Sequence, residues 1–374
     1  FASIKRAQEF ARIVNYSQKI FSNNLNVSER YQLIKEFYLN PKTIIIGTRH
    51  AIFLQSTLGY TIVVDEYNHI GHKNDGHPNY LSEEVVKILN KYGIEIYLFS
   101  SSPTLSAVKN KWNYLIDEQP KILIKTYTKI DELNFYLETL VESQNKILIF
   151  NPIYRSTSIY CNKCKEFVKC ENCWKNLTGI KDTGEIYCKN CMLNLLNNIC
   201  NICNLNDLKY IRFGLEDNIK LIKNITDNYS EISSFNIDNI DNNNQITLAT
   251  SKIFDYINLE FDKVILLNFD FLTSGKNYNF DEEVIAIISN LKKMTKNEMV
   301  ITTKDESSEF FRIKNQQDLK NYFLNIYKKR KHYQLKPFYI TIMLIAQNID
   351  PFKLKSEKEI IVKNLSKIKL IIFN

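Results

Sequence analysis

All eight cysteines of the chain fall between positions 161 and 203, in four Cys-x-x-Cys pairs: Cys161/Cys164, Cys170/Cys173, Cys188/Cys191 and Cys200/Cys203. A Cys-x-x-Cys turn points two sulfurs at one ion, and two such turns complete the tetrahedral sulfur shell that suits Zn²⁺. Eight thiols in four pairs therefore fit two zinc ions with none left over. Iron–sulfur ligation and four disulfides are the competing chemistries. Disulfides would need an oxidising compartment, and nothing in the chain resembles a secretory signal. A redox pair would need a thioredoxin-like βαβ setting, which is absent. Zinc is the expectation.

A second candidate is Asp65-Glu66, which ends the apolar run Tyr60–Val64. In a nucleotide-hydrolysing lobe such an aspartate holds Mg²⁺ and the glutamate orients the attacking water. His69, His72 and His77 follow closely, and their loop setting predicts surface histidines rather than a metal site. Trp174 predicts a packing plug over a small zinc core, and Lys328–Lys331 a solvated helix end.

The elements that must position these residues alternate. Residues 1–40 read as helices, with Ser28 as an N-cap. Strands are expected at 42–46, Tyr60–Val64 and Glu95–Phe99, with a helix near Ser82–Tyr92. A helix at Ile130–Glu142 and a strand at Lys146–Phe150 restart the pattern before the cysteines. Beyond them come a helix at Asn218–Asn224, strands at Gln245–Thr250 and Lys263–Asn268, and a helix at Asp281–Lys293. A strand at Met299–Thr302 and a lysine-rich helix at Gln317–Lys331 complete it, and Asp238–Asn244 reads as a loop. Alternating strands and helices imply parallel βαβ units with polar residues at the strand C-termini.

Composition bounds the reading further. An apolar fraction of 44% supports ordinary cores, and no apolar run is long enough to span a membrane. The formal charge is +8, but loading two zinc ions onto eight thiolates would leave about +4. The basic residues are nearly all lysine in a chain crowded with Asn, Ile, Tyr and Phe, so charge alone is a weak pointer to DNA. The chain begins at Phe1 without an initiator Met, and a fragment or processed product is expected.

Several motifs together resemble the primosomal protein N′ family, superfamily 2 DNA helicases that restart stalled bacterial replication forks. Ile46-Gly47-Thr48-Arg49-x-Ala51-x-Phe53 resembles the family's IGTRSAxF, and Val63-Val64-Asp65-Glu66-Tyr67-Asn68 its V-[IV]-D-E-E-H. Lys73 and Pro78-Asn79-Tyr80 resemble its Y-K and P-R-Y, and Ser100–Thr104 its S-A-T-P-S. Asn151 precedes the cysteines by the family's interval, the knuckle spacings match, and Asn176-Leu177-Thr178 is similar to the A-S-L-T between the pairs. Gly214-Leu215-Glu216 and Lys336-Pro337-Phe338 resemble its G-T-E and P-P-F. The resemblance covers essentially the whole chain.

It implies an α/β fold of two RecA-like helicase lobes, with a small zinc module inserted in the second and the start of a C-terminal domain. The expected division is lobe 1 over 1–125, the start of lobe 2 over 126–156, and the double zinc module over 157–207. The rest of lobe 2 follows over 208–332 and the C-terminal domain begins at 333–374. It implies nested zinc pairing: Cys161, Cys164, Cys200 and Cys203 on one ion, Cys170, Cys173, Cys188 and Cys191 on the other. It assigns Asp65 and Glu66 to Mg-ATP and gives Gly47, Thr48 and Arg49 a DNA-contacting role. The partners implied are forked DNA or single-strand/duplex junctions and primosome proteins, in the cytoplasm and away from membranes.

The departures argue against a working motor. No Gly-x4-Gly-Lys-[Ser/Thr] occurs; Ser274-Gly275-Lys276-Asn277 lacks the earlier glycine and the hydroxyl, though the family's P-loop lies upstream of the segment that residues 1–20 resemble. The family's motif histidine is Asn68. Its N-R-R-G-Y has become Asn151-Pro152-Ile153-Tyr154-Arg155, and its G-T-Q-M-L-A-K-G-H-D-F is reduced to Ala249–Asp255. No arginine occurs between Arg212 and Arg312, where the family carries Q-V-A-G-R-A-G-R. An arginine finger contributes about 10³–10⁵ in rate, and lysine lacks its bidentate fork. The expectation is a DNA-binding protein with degenerate ATPase motifs. An active 3′→5′ helicase and a zinc-ribbon interaction scaffold are the alternatives.

Overall fold

In the computed structural model the described residues are 1–14, 18–22, 24–40, 44–56, 59–74, 80–102, 104–109, 121–126, 136–139, 145–154, 157–172, 176–179, 183–188, 194, 199–211, 214–233, 244–273, 280–303, 306–313, 315–335, 338 and 359–360. They divide into two compact units, 1–321 and 322–374. The fold is mixed α/β with parallel sheets.

The chain opens with a helix, Ile4–Ile13, whose cap Ser3 accepts from the Arg6 backbone N–H at 3.2 Å. Strand β1 (Gln18–Phe21) follows, then helix Val27–Leu39 and β2 (Ile44–Gly47), which pairs in parallel with β1. The second helix starts at Asn26 rather than at Ser28. Asn26 accepts from the Glu29 N–H and Glu29 returns the bond to the Asn26 N–H, both at 2.9 Å. That reciprocal box satisfies two otherwise open donors, and it leaves Ser28 inside the first turn. β1 is absent from the helical expectation for residues 1–40. Gly47 is required by close approach, because a Cβ there would lie 2.6 Å from the Ala51 Cβ and 2.8 Å from the Phe21 carbonyl oxygen.

Next come β3 (Thr61–Val64), a short antiparallel pair β4 (Lys73–Asn74) and β5 (Tyr80–Leu81), helix Ser82–Lys91, β6 (Glu95–Leu98) and helix Leu105–Lys109. β3 and β6 run parallel in register, Val64 opposite Leu98, so residues 65–68 and 99–102 emerge side by side. Ile52, Val64, Tyr67 and Val86 bury the inner face of this pair.

β7 (Lys121–Thr126) and β8 (Ile147–Phe150) belong to a six-stranded sheet resumed after the cysteine segment. That segment holds β9 (Thr157–Cys161), β10 (Glu166–Phe167), β11 (Thr178–Gly179), β12 (Ile186–Tyr187) and β13 (Leu208–Ile211). Helix Leu215–Lys223, β14 (Tyr229–Ile232), β15 (Ile246–Ala249) and β16 (Phe261–Leu266) follow. Helices Phe269–Thr273 and Phe280–Lys293, β17 (Thr295–Thr303) and helix Gln316–His332 come last. The sheet order is β14-β15-β8-β16-β17-β7, parallel throughout. A parallel sheet is covered on both faces, which is why β8 is apolar at every position. Ile147 and Ile149 face one way, onto the helix Leu215–Lys223, while Leu148 and Phe150 face Val284, Ile288 and Leu291 of the helix Phe280–Lys293.

Of the expected segments, Asp238–Asn243 and most of Ile130–Glu142 lie outside the described residues; residues 136–139 of the latter are helical. Within the second unit Tyr327 packs edge-on against Phe338, their ring centroids 4.6 Å apart.

Candidate metal centre and acidic pair

β9 is the spine of the cysteine segment. It pairs antiparallel with β10, β11 and β13, and its pairing with β13 sets Cys161 opposite Leu208. Cys161–Cys164 thereby lies beside Cys200–Cys203, which precedes β13. The two knuckles have the same backbone form. Lys165 and Asn204, each just after the second cysteine, both stand at φ +56°. Each donates its N–H to the carbonyl of the first cysteine, at 2.9 and 2.8 Å. In both, this left-handed residue closes the turn so that the two thiols project to one side.

The four sulfurs of Cys161, Cys164, Cys200 and Cys203 all lie within 4.8 Å of one another. Cys161 Sγ is 3.6 Å from Cys203 Sγ, and Cys164 Sγ is 3.8 Å from Cys200 Sγ. A disulfide needs about 2.05 Å, whereas zinc–sulfur bonds of about 2.3 Å in a tetrahedron place sulfurs about 3.8 Å apart. The donor set therefore fits a thiophilic divalent ion such as zinc. The Cys164 N–H points at the Cys161 sulfur and draws its thiol down to about 7; the adjoining sulfurs push that of Cys164 upward. Crowded sulfurs that resist losing every proton are what a cation at their centre relieves.

Cys170 and Cys188 are buried with Ile159, Val168, Leu177 and Ile186 in the module's small core. Cys173, Cys191 and Trp174 lie outside the described residues. Asn201 of the outer knuckle donates to the Lys169 carbonyl at 2.9 Å, tying the region of Cys170 to that of Cys200.

The acidic pair has a different surrounding. Asp65 leaves the end of β3 and both its carboxylate oxygens meet Arg6, one through Nε in a short contact and the other through Nη2 at 3.3 Å. Arg6 Nη1 also donates to the Phe254 carbonyl at 2.9 Å. Glu66 is 5% exposed and stands at φ +44°, a turn that sends its carboxylate toward the end of β6. There its Oε2 accepts from the N–H and Oγ of Ser101 at 3.0 and 2.9 Å, while Lys293 approaches Oε1 at 3.4 Å. A Mg²⁺ site presents open carboxylate oxygens with room for several waters. Here all four oxygens already face protein donors, so the pair as arranged does not fit a magnesium–nucleotide site.

No protein-family model matches the chain. Among curated proteins it is similar to Replication restart protein PriA of Helicobacter pylori (strain ATCC 700392 / 26695), 24% identical over 196 residues, covering 49% of this chain and 32% of that protein. The PriA of Chlamydia muridarum is 26% identical over 196 residues, covering 46% and 26%, and that of Bacillus subtilis 20% identical over 195 residues, covering 46% and 24%. Over about half of its length the chain is similar to PriA proteins of diverse bacteria. PriA is another name for primosomal protein N′. The match spans no more than about a third of the length of these relatives.

The remaining motif residues of the PriA-like chain are placed as follows. Asn68, at the family's histidine position, donates to Ser102 Oγ at 3.0 Å and accepts from Ser100 Oγ at 2.7 Å, bracing the two strand ends. Gly47 is buried, Thr48 starts the turn 49–53, and the half-buried Arg49 reaches the Gly71 carbonyl at 3.4 Å. His72 is not a surface histidine: it is 3% exposed, with Nε2 against the Asp65 carbonyl oxygen at 2.8 Å. His77 lies outside the described residues, as does Ser274–Asn277. In the basic cluster 328–331 the three lysines are exposed, but Arg330 is buried.

Sequence reasoning missed Arg6, Lys293 and the asparagine cluster Asn151–Asn218–Asn268. Asn151 donates to Asn218 at 2.9 Å, and its own oxygen accepts from the Ile153 N–H and from Asn268 at 3.0 and 3.1 Å. The signal available was Asn at the C-terminal end of an apolar strand, a position where parallel sheets gather polar groups.

Proposed function

We propose that this chain is a replication-restart protein of the PriA type that carries zinc in its cysteine module, binds forked or junction DNA and primosome proteins in the cytoplasm, and hydrolyses ATP poorly or not at all. The observation that carries the reading is the convergence of Cys161, Cys164, Cys200 and Cys203 on one point, in a chain whose similarity is to PriA proteins. In this reading the α/β parts on either side of the cysteines are two helicase-type lobes, and the zinc module is inserted in the second. Cys170, Cys173, Cys188 and Cys191 would hold a second ion. Zinc would supply structural rigidity there: four thiolates fill its shell and leave no open position for chemistry. Gly47, Thr48 and Arg49 are assigned to the DNA-facing side of the first lobe by their motif.

Support for weak ATP turnover comes from the engaged carboxylates of Asp65 and Glu66 and from the missing arginines between Arg212 and Arg312. Among the described residues no helix is long and apolar enough to cross a membrane. The test is binding of a forked DNA to the full-length protein across a salt series. The log of affinity should fall linearly with the log of salt concentration as phosphate contacts release counterions. Absence of binding at low salt, with zinc retained, would instead favour an interaction scaffold.

A further inference from the structure

Among the described residues, hydrogen bonds of Arg6, Leu105 and Lys293 join residues 1–109 to residues 245–303, and Arg6 and Lys293 each engage one member of the acidic pair. Arg6 grips Asp65 with Nε and Nη2 and extends Nη1 to the Phe254 carbonyl, at 2.9 Å. Lys293, at the end of helix Phe280–Lys293, reaches Glu66 at 3.4 Å. The Leu105 N–H donates to Glu282 of the same helix at 3.0 Å. Beside them the Lys5 ammonium lies 4.8 Å from the centre of the Tyr256 ring. We propose that Asp65 and Glu66 serve this chain as a clamp that holds its two α/β parts together without nucleotide, in place of a magnesium site: Glu66 pairs with Lys293 across the two parts, and Asp65 holds Arg6 on the Phe254 carbonyl.

The two arms differ in strength. The Arg6 and Asp65 side chains are 14% and 26% exposed, and the planar fork engages both oxygens, the geometry in which a charge-assisted pair is strongest. Lys293 is 57% exposed, so its pair with Glu66 is screened by water and salt. Arg6 is the principal arm and Lys293 the minor one. Ser101 holds Glu66 within the first part whatever Lys293 does, which makes the Asp65-held Arg6 on the Phe254 carbonyl the stronger of the two links that run through the acidic pair. A magnesium ion arriving at Asp65 would have to displace a guanidinium anchored on the Phe254 carbonyl. The inference stands on this geometry and does not require the DNA-binding reading.

Fluorophores carried on non-natural residues at Tyr92 and Glu260, both exposed and one on each side of the clamp, report their separation in the full-length protein. The wild type should give one narrow distance population, unchanged by magnesium and ATP added together. Arg6→Gln and Asp65→Asn should each move molecules into a longer-distance population, and combining them should move no more than either alone. Lys293→Gln should produce a smaller shift. Should Arg6→Gln fail to fold, Arg6→Lys keeps the charge without the fork and should give a partial shift. Unchanged distances in all variants would overturn the clamp. So would calorimetric binding of ATP to the wild type that depends on added magnesium, and that measurement needs no clamp variant.

Discussion

A buried histidine gives the sharpest single-residue consequence of the arrangement around β3. Burial lowers the His72 imidazole from its ordinary 6.5 to about 4, so it is neutral in the folded chain. The unfolded chain binds the proton first as pH falls. The stability from a neutral His72 is therefore complete above about pH 6.5 and is lost between about 6.5 and 4, on the order of 3 kcal/mol. Urea unfolding at about pH 7.5 and 5 should show about 2 kcal/mol of this loss, and His72→Gln should flatten it whatever its effect at neutral pH. Asn151 is a second such site. It is fully buried, and Asn151→Ala would leave the Ile153 N–H and the Asn218 and Asn268 side chains short of partners. A cost of about 2–4 kcal/mol in the same assay is expected. Neither site was legible from residue type alone, because burial depends on what the fold brings over the residue.

Among the elements, most strongly apolar strands were legible, β7 with its Ile122-Leu123-Ile124 run being missed, and the polar or short ones were not. Ile147–Phe150 and Ile246–Ala249 declare themselves because both faces of a parallel strand are covered. β1 and β14 carry Gln18, Lys19, Ser230 and Glu231 and find their partners through β2 and β15 rather than through a local turn. Nothing in their own few residues distinguishes them from loop. The Cys-x-x-Cys turns were legible as turns. The pairing of β9 with β13, which brings the first knuckle to the fourth, is a long-range event that spacing alone leaves open. Gly179 in β11 is the element-scale probe. A Cβ there would lie 2.5 Å from both Ile159 Cδ1 and Tyr210 Cε1, inside the module's core. Gly179→Ala should destabilise the protein by about 1–3 kcal/mol and speed zinc loss to a chelator; an unchanged release rate would mean that the strand yields without disturbing the cluster.

At the scale of the whole molecule, a parallel six-stranded sheet carries a cysteine module between β8 and β14, and an ion-paired acidic couple links that sheet's surroundings to the first α/β part. The module's apolar core is small, and small cores need a metal or cross-links to hold their fold. The PriA-like reading turns on that metal. Native mass spectrometry of the full-length protein with metal analysis tests it most directly. Two zinc ions per chain with all thiols reduced are expected, and Cys161→Ser with Cys200→Ser should remove one ion and leave the other. A chain without zinc, or one carrying sulfur–sulfur bonds among these cysteines, would contradict the account.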